Sequence, residues 1–145
     1  MATNTVPTPL QIALEEGGKK IRRKKYDVLF QRGDKAFGMF LVLSGEVSLD
    51  FGVDSRATAR SYGPGALVGL PATVTRRNYI KTATVTEDAE LGFWSPEDLD
   101  ALLRTRPELC QELLAIMGER LADHHEIMKS LLDGDKQPSE QVDPV

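Results

Sequence analysis

Over roughly the first two thirds of this chain the apolar positions come in short runs broken by glycine, and over the last third they form a helical stripe. Phe37-Gly38-Met39-Phe40-Leu41-Val42-Leu43 is almost continuously apolar, as in a central strand covered on both faces. Glu46-Val47-Ser48-Leu49-Asp50-Phe51 alternates instead, so Val47, Leu49 and Phe51 are expected to face an interior. The spacing predicts strands at 20–26, 28–31, 37–44, 46–51 and 57–62, and another over Glu90-Leu91-Gly92-Phe93-Trp94. Turns fall at Gly33-Asp34, Ser44-Gly45, Gly52 to Ser55 and Gly63-Pro64-Gly65, where glycine, proline and short polar residues permit sharp reversals. Between the last strands, Val68-Gly69-Leu70-Pro71-Ala72-Thr73 is answered by Lys81-Thr82-Ala83-Thr84-Val85. Short strands around one brief Pro-started helical turn that points at a basic residue describe a small β-roll for an anionic ligand.

Three helices complete the pattern. Pro9 to Glu16 has proline at its start, apolar residues on one side and Gly17-Gly18 as its stop. Ser95-Pro96-Glu97-Asp98 supplies a cap, a proline for the first helical position and first-turn acids. That helix should end near Arg106, because Pro107 disfavours a helical residue before it. From Pro107 to Leu132 the chain reads as one long helix closed by Gly134. Cys110, Met117, His124 and Leu131 share one heptad position, Leu113, Arg120 and Ile127 the matching one, and Leu114, Leu121 and Met128 widen the stripe. Such a face suits two surfaces: one covers the sheet, and the other forms a homodimer seam of Leu113, Met117, Arg120, His124, Ile127 and Leu131. The plainer alternative is a helix that packs on its own domain only.

Composition narrows the function. With 145 residues and 41% hydrophobic content the chain suits one domain, expected over 9–132 between a loose arm at 1–8 and a disordered polar tail at 133–145. No apolar run approaches the roughly 20 residues of a membrane span, and the N-terminus does not read as a signal peptide. A cytoplasmic, membrane-free protein is the expectation. Lone Cys110 cannot form an internal disulfide and reads as a small core hydrophobe. Net charge is -4, which argues against wholesale nucleic-acid binding, yet Lys19 to Lys25 holds six basic residues in seven and Glu87 to Asp100 six acids and no base. The basic run reads as an edge strand protected by charge, or as a contact for RNA, DNA or an anionic surface. Both histidines fall on the long helix, so no nucleophile in the strands has its base and no metal site assembles there. An enzyme is not expected.

Four groups of residues, in this order, carry a resemblance: Arg32-Gly33-Asp34; Met39-Phe40-Leu41-Val42-Leu43-Ser44-Gly45-Glu46-Val47; Gly63-Pro64-Gly65-Ala66-Leu67-Val68-Gly69; and Ala83-Thr84-Val85 before Asp88-Ala89-Glu90-Leu91. Together they resemble the cyclic-nucleotide-binding domains of Crp/Fnr-type, catabolite-activator-like sensors, over about residues 10–132. The resemblance implies a mainly β fold with flanking α: a double-stranded β-helix, or jelly-roll β-roll, with a short N-terminal helix and a long C-terminal dimerisation helix. It also implies a phosphate cassette. Val68-Gly69-Leu70 stands where such domains have Phe-Gly-Glu, and Lys81-Thr82 where they have Arg with Ser or Thr. The implied ligand contacts are Gly69, Leu70, Ala72, Thr73, Lys81 and Thr82, with His124 and His125 at helix positions that touch the base.

The cassette is degenerate. Leu70 cannot accept the ribose hydrogen bond, and Lys81 keeps the charge without the two-pronged phosphate pairing of arginine. Losses of about 1.5 to 3 kcal/mol for a charged hydrogen bond lower affinity for a standard cyclic nucleotide by about two to three powers of ten if the two add. Gly69, the amides of Ala72 and Thr73 and the Thr82 hydroxyl still suit an anion, and Arg76 and Arg77 are further cations nearby. Thirteen residues follow Leu132, too few for a helix-turn-helix, so no DNA-binding domain is expected in this chain. The expected function is a non-catalytic regulatory domain that binds a cyclic nucleotide or other small anionic effector and signals through the long helix; the alternative is a ligand-free protein-interaction and dimerisation module with a vestigial cassette.

Overall fold

The computed structural model describes residues 8–50 and 59–118. The turn at Gly52 to Ser55, the positions Arg120, His124, His125, Ile127 and Leu131, and the tail lie outside the described residues.

Two long strands organise the sheet. Strand β3 (Met39–Asp50) and strand β6 (Thr82–Trp94) pair antiparallel from Met39↔Trp94 to Asp50↔Thr82. Short strands flank them at each end. β1 (Lys19–Arg23) pairs with the last part of β6 and β2 (Val28–Phe30) with its beginning, while β4 (Arg60–Tyr62) and β5 (Leu67–Val68) pair with opposite ends of β3. Among the described residues every strand pairing is antiparallel, and helices flank the sheet, as expected of a mainly β fold with flanking α.

The reversal expected at Ser44-Gly45 is not a turn. The chain runs straight through it, joining the two strands expected at 37–44 and 46–51 into β3. The register with β6 slips between Val42 and Val47, so the glycine marks a β-bulge rather than a hairpin. Gly45 has φ 87, and a Cβ there would collide with the Asp88 carbonyl and the Ala89 backbone. Only glycine meets both demands. The segments expected separately around Ala83 to Val85 and Glu90 to Trp94 likewise join as β6. β1 stops at Arg23 instead of continuing to 26, because Lys24 to Asp27 closes a turn: the Asp27 amide donates to Lys24 O (2.9 Å) and the Lys24 amide to Asp27 Oδ2 (2.8 Å).

The apolar run of β3 is buried on both faces, as its pattern predicts. Phe40 and Val42 join Val47, Leu49, Val85 and Leu91 in one cluster inside the sheet. Met39 and Leu41 face a second cluster under the helices, with Leu10, Leu14, Leu67, Leu70, Trp94, Leu99, Leu109 and Leu113. Helix α1 (Pro9–Gly17) is capped by Thr8, whose hydroxyl accepts from the Gln11 amide at 3.1 Å, so Thr8 belongs to the helix cap. Trp94 anchors α1 by donating its indole N–H to Leu14 O at 3.0 Å.

The cassette helix α2 (Leu70–Thr75) follows β5 directly. Helix α3 (Pro96–Thr105) starts on Ser95, whose Oγ accepts from the Asp98 amide at 3.1 Å, and ends before Pro107 as predicted. The long helix resumes at 109, after a turn, and is described to 118; this segment is α4. Among the described residues no helix is long and apolar enough to cross a membrane.

Candidate functional site

Gly69 opens the cassette in the left-handed region, at φ 84 and ψ 10. Its carbonyl receives both the Thr73 amide at 3.2 Å and the Thr73 hydroxyl at 2.7 Å, which winds α2 tightly onto the strand before it. Arg76, also left-handed at φ 59, closes the helix, and the Arg77 amide donates to Ala72 O at 3.0 Å. The left-handed cap at Arg76 thus ends the helix and turns the chain back.

The returning segment is tied to the loop that carries Arg32-Gly33-Asp34. The Ala36 amide donates to Arg77 O (3.1 Å), the Tyr79 amide to Asp34 O (2.9 Å) and the Gly33 amide to Tyr79 O (2.8 Å). Tyr79 completes the clasp with its side chain. Its hydroxyl donates to Gly38 O and accepts from the amides of Phe37 and Gly38, each at 3.1 Å. The ring stacks on Phe30 at 3.8 Å between centroids. Burial pushes the phenol above its ordinary value, against the opposing effect of the Phe37 and Gly38 amides and the Thr73 hydroxyl.

Gly69 therefore faces aromatic rings. A Cβ at this position would lie 3.1 Å from Phe30 and 3.2 Å from Tyr79. Ala72 packs against the same inner cluster, and Thr73 is buried. Further along, Tyr79, Lys81, Ala83 and Val85 are all buried, with exposed or half-buried residues between them. Lys81 is 8% exposed, the only buried charged side chain among the described residues. Gly69, Ala72, Thr73 and Tyr79 thus meet on the inner side, and Lys81 continues the inward row.

Other expected contacts lie elsewhere. The Leu70 side chain is fully buried in the cluster under the helices, away from the inner side. The Thr82 hydroxyl accepts from the Arg32 amide at 3.0 Å, supporting the neighbouring turn. Arg76 pairs with Glu97 at 3.4 Å and with Asp100 on α3, while Arg77 is exposed. Leu113 is buried in its own chain's core, Met117 and Cys110 are half-buried, and Leu114 is 64% exposed. Tyr79 was not singled out from the sequence. Its signal was the period-2 row of residues 79, 81, 83 and 85, which extends the inner face of β6 back into the cassette loop.

Comparison with known proteins settles the family. The model of the cyclic nucleotide-binding domain matches residues 20–106, more than half of the chain. The chain belongs to the cyclic nucleotide-binding domain family. Among relatives, the cyclic AMP receptor protein of Thermus thermophilus is 33% identical over 98 residues, covering 66% of this chain and 45% of that protein. Mouse patatin-like phospholipase domain-containing protein 7 is 28% identical over 95 residues, covering 64% of this chain and 7% of that protein. The chain thus spans less than half the length of either relative. A crystal structure of the Thermus thermophilus catabolite activator protein superposes with a TM-score of 0.70 at 25% identity, covering 86% of this chain and 60% of that one. The match to the cyclic nucleotide-binding domain runs from β1 to the end of α3, and so contains the segment from Gly69 to Thr82 and both long strands.

Proposed function

We propose that this cyclic nucleotide-binding domain is a non-catalytic regulatory sensor of a nucleotide-like or other small anionic effector. In this reading the sheet is a β-roll, the effector engages the cassette from Gly69 to Thr82, and the signal leaves through the long C-terminal helix, which dimerises. The carrying observation is Lys81, buried at 8% exposure on the inward row beside Tyr79. An ammonium in a poorly solvated site interacts with an anion several times more strongly than it would in water. The exposed Leu114 beside half-buried Cys110 and Met117 leaves an apolar strip on α4 for the second protomer.

A second reading, an interaction module with a vestigial cassette, draws on a different observation. Leu70 points away from the inner side, and the rings of Phe30 and Tyr79 pack on Gly69. Thermal shift separates the two. Because the name of the Thermus relative specifies cyclic AMP, that nucleotide heads a panel with cyclic GMP and cyclic dinucleotides. A ligand at a hundred times its Kd stabilises by about 2.7 kcal/mol. Under the sensor reading at least one nucleotide raises the melting temperature, and the rise disappears in both Lys81→Ala and the longer Lys81→Met. A flat response at millimolar nucleotide, with the dimer intact, would leave the interaction module.

A further inference from the structure

Strand β1 is an edge of the sheet: among the described residues it pairs with β6 alone. Four of its five residues are exposed, and only Ile21 turns inward, packing on the inner cluster. An edge of this kind presents backbone N–H and C=O groups to a further strand. Cations project from both of its faces and just beyond its end: Lys19, Lys20, Arg22, Arg23, Lys24 and Lys25. Next comes Tyr26, 76% exposed, with the Lys25 ammonium 5.3 Å from its ring centroid. The backbone that carries it is held in place. Tyr26 holds φ 80 within the turn that ends β1, and its amide donates to Val85 O at 2.7 Å. A cleft of about 430 Å³ opens at the same end, lined by Arg22, Arg23, Lys24, Ser44, Asp88 and Glu90.

We propose that this edge docks an extended acidic segment of a partner protein, which adds to β1 as a further strand with its carboxylates against the Lys and Arg side chains and an apolar residue on Tyr26. Three observations select this occupant. Backbone groups along an edge are matched by another polypeptide backbone, and side chains alternating along that strand provide the specificity. The six cations repel a second copy of β1 and attract an acidic strand, so the charges that prevent self-pairing also choose the partner. Asp88 and Glu90 interrupt the basic lining of the cleft, so an occupant with carboxylates spaced by apolar residues can avoid them, whereas the evenly spaced charge of a nucleic acid cannot.

The test uses the full chain and fluorescence anisotropy with a labelled heptapeptide alternating Glu and Val. Binding is expected, weakening as salt rises. Arg22→Glu with Lys24→Glu lowers affinity by about tenfold or more, and the milder Arg22→Gln with Lys24→Gln lowers it in the same direction without placing new acids on the edge. A peptide N-methylated at alternate amides loses binding, because it cannot complete the strand ladder. The proposal is overturned by absence of binding, by equal binding of an alternating Lys and Val peptide, by full binding of the N-methylated peptide, or by tighter binding of a twelve-nucleotide oligothymidylate.

Discussion

The two apolar clusters on either side of β3 are built from different chemistry. The cluster under the helices is almost wholly aliphatic, with Leu10, Leu14, Met39, Leu41, Leu67, Leu70, Leu99, Leu109 and Leu113 around a single indole whose N–H is bonded to Leu14 O. Inside the sheet, aromatic rings stack. Phe30 lies on Tyr79, and Phe40 packs against Phe93 at 5.2 Å between centroids. Among the described residues the buried polar side chains, Thr73 and Lys81, lie on α2 and the segment that returns from it. An aliphatic layer demands little beyond volume and shape. A layer containing hydroxyls and an ammonium must satisfy each polar group or lose stability. The helix side is therefore held by volume and shape, and the inner side also by polar bonds such as that from the Thr73 hydroxyl to Gly69 O.

Leu70 gives the sharpest way to break this division, because the sequence resemblance expects a glutamate for a ligand at this position, yet its side chain lies in the cluster under the helices. Leu70→Ala should cost about 2–5 kcal/mol in urea unfolding, the usual loss when a fully buried leucine leaves a cavity. Leu70→Glu should cost more, since a carboxylate would then be buried among leucines. It should also leave affinity for cyclic AMP unimproved. If Leu70→Glu kept its stability and gained nucleotide binding, position 70 would face the inner side, and the division between the layers would be wrong.

Tyr79 sharpens the comparison from the other side. Tyr79→Phe keeps the stacking on Phe30 but removes the hydroxyl that receives the amides of Phe37 and Gly38 and bonds to Gly38 O. The expected loss is about 1–3 kcal/mol, the cost of stranding buried polar groups. The pH dependence has a definite sign. Burial raises the folded-state value of the phenol above its ordinary 10.0, so its contribution is complete below pH 10 and is lost as pH rises through the folded value. Urea midpoints measured at several pH values from 9 upward should therefore fall more steeply for the native chain than for Tyr79→Phe. Parallel slopes would show that the phenol is not buried in this way.

How much of this was legible in the sequence follows the same line between layers. The helix side was largely readable: Pro9, Ser95, Pro96 and Pro107 marked helix ends through local backbone chemistry, and the continuous apolar run of β3 announced two covered faces. The inner layer was less so. Ser44-Gly45 looked like a hairpin because a glycine in the left-handed region serves a turn and a bulge equally well; the passage of Asp88 and Ala89 beside it decides the matter, and that contact is remote in sequence. Tyr79 escaped notice for a similar reason. Its partners at Phe30, Phe37 and Gly38 lie more than forty positions away, and its own neighbours Asn78 and Ile80 are exposed. Leu70 was placed among the ligand contacts by its position beside Gly69, whereas the direction of its side chain depends on how α2 sits on the sheet.

The smallest effect is expected where the two layers are joined at the surface. Arg76 reaches from the end of α2 to Glu97 and Asp100 on α3, linking the cassette to the helices. Its side chain is 45% exposed and that of Glu97 is 75% exposed, so water and salt weaken the pairing. Arg76→Ala should cost only about 0.2–1 kcal/mol through the ion pairs, and that part should disappear in 1 M salt. The backbone complicates the sign. Arg76 sits at φ 59, where a non-glycine residue is disfavoured by roughly 1–2 kcal/mol, and alanine inherits that cost while glycine escapes it. Arg76→Gly should therefore match or exceed the native chain in urea midpoint although both ion pairs are gone. A glycine variant clearly less stable than the alanine variant would mean that the left-handed cap is not what holds the end of α2.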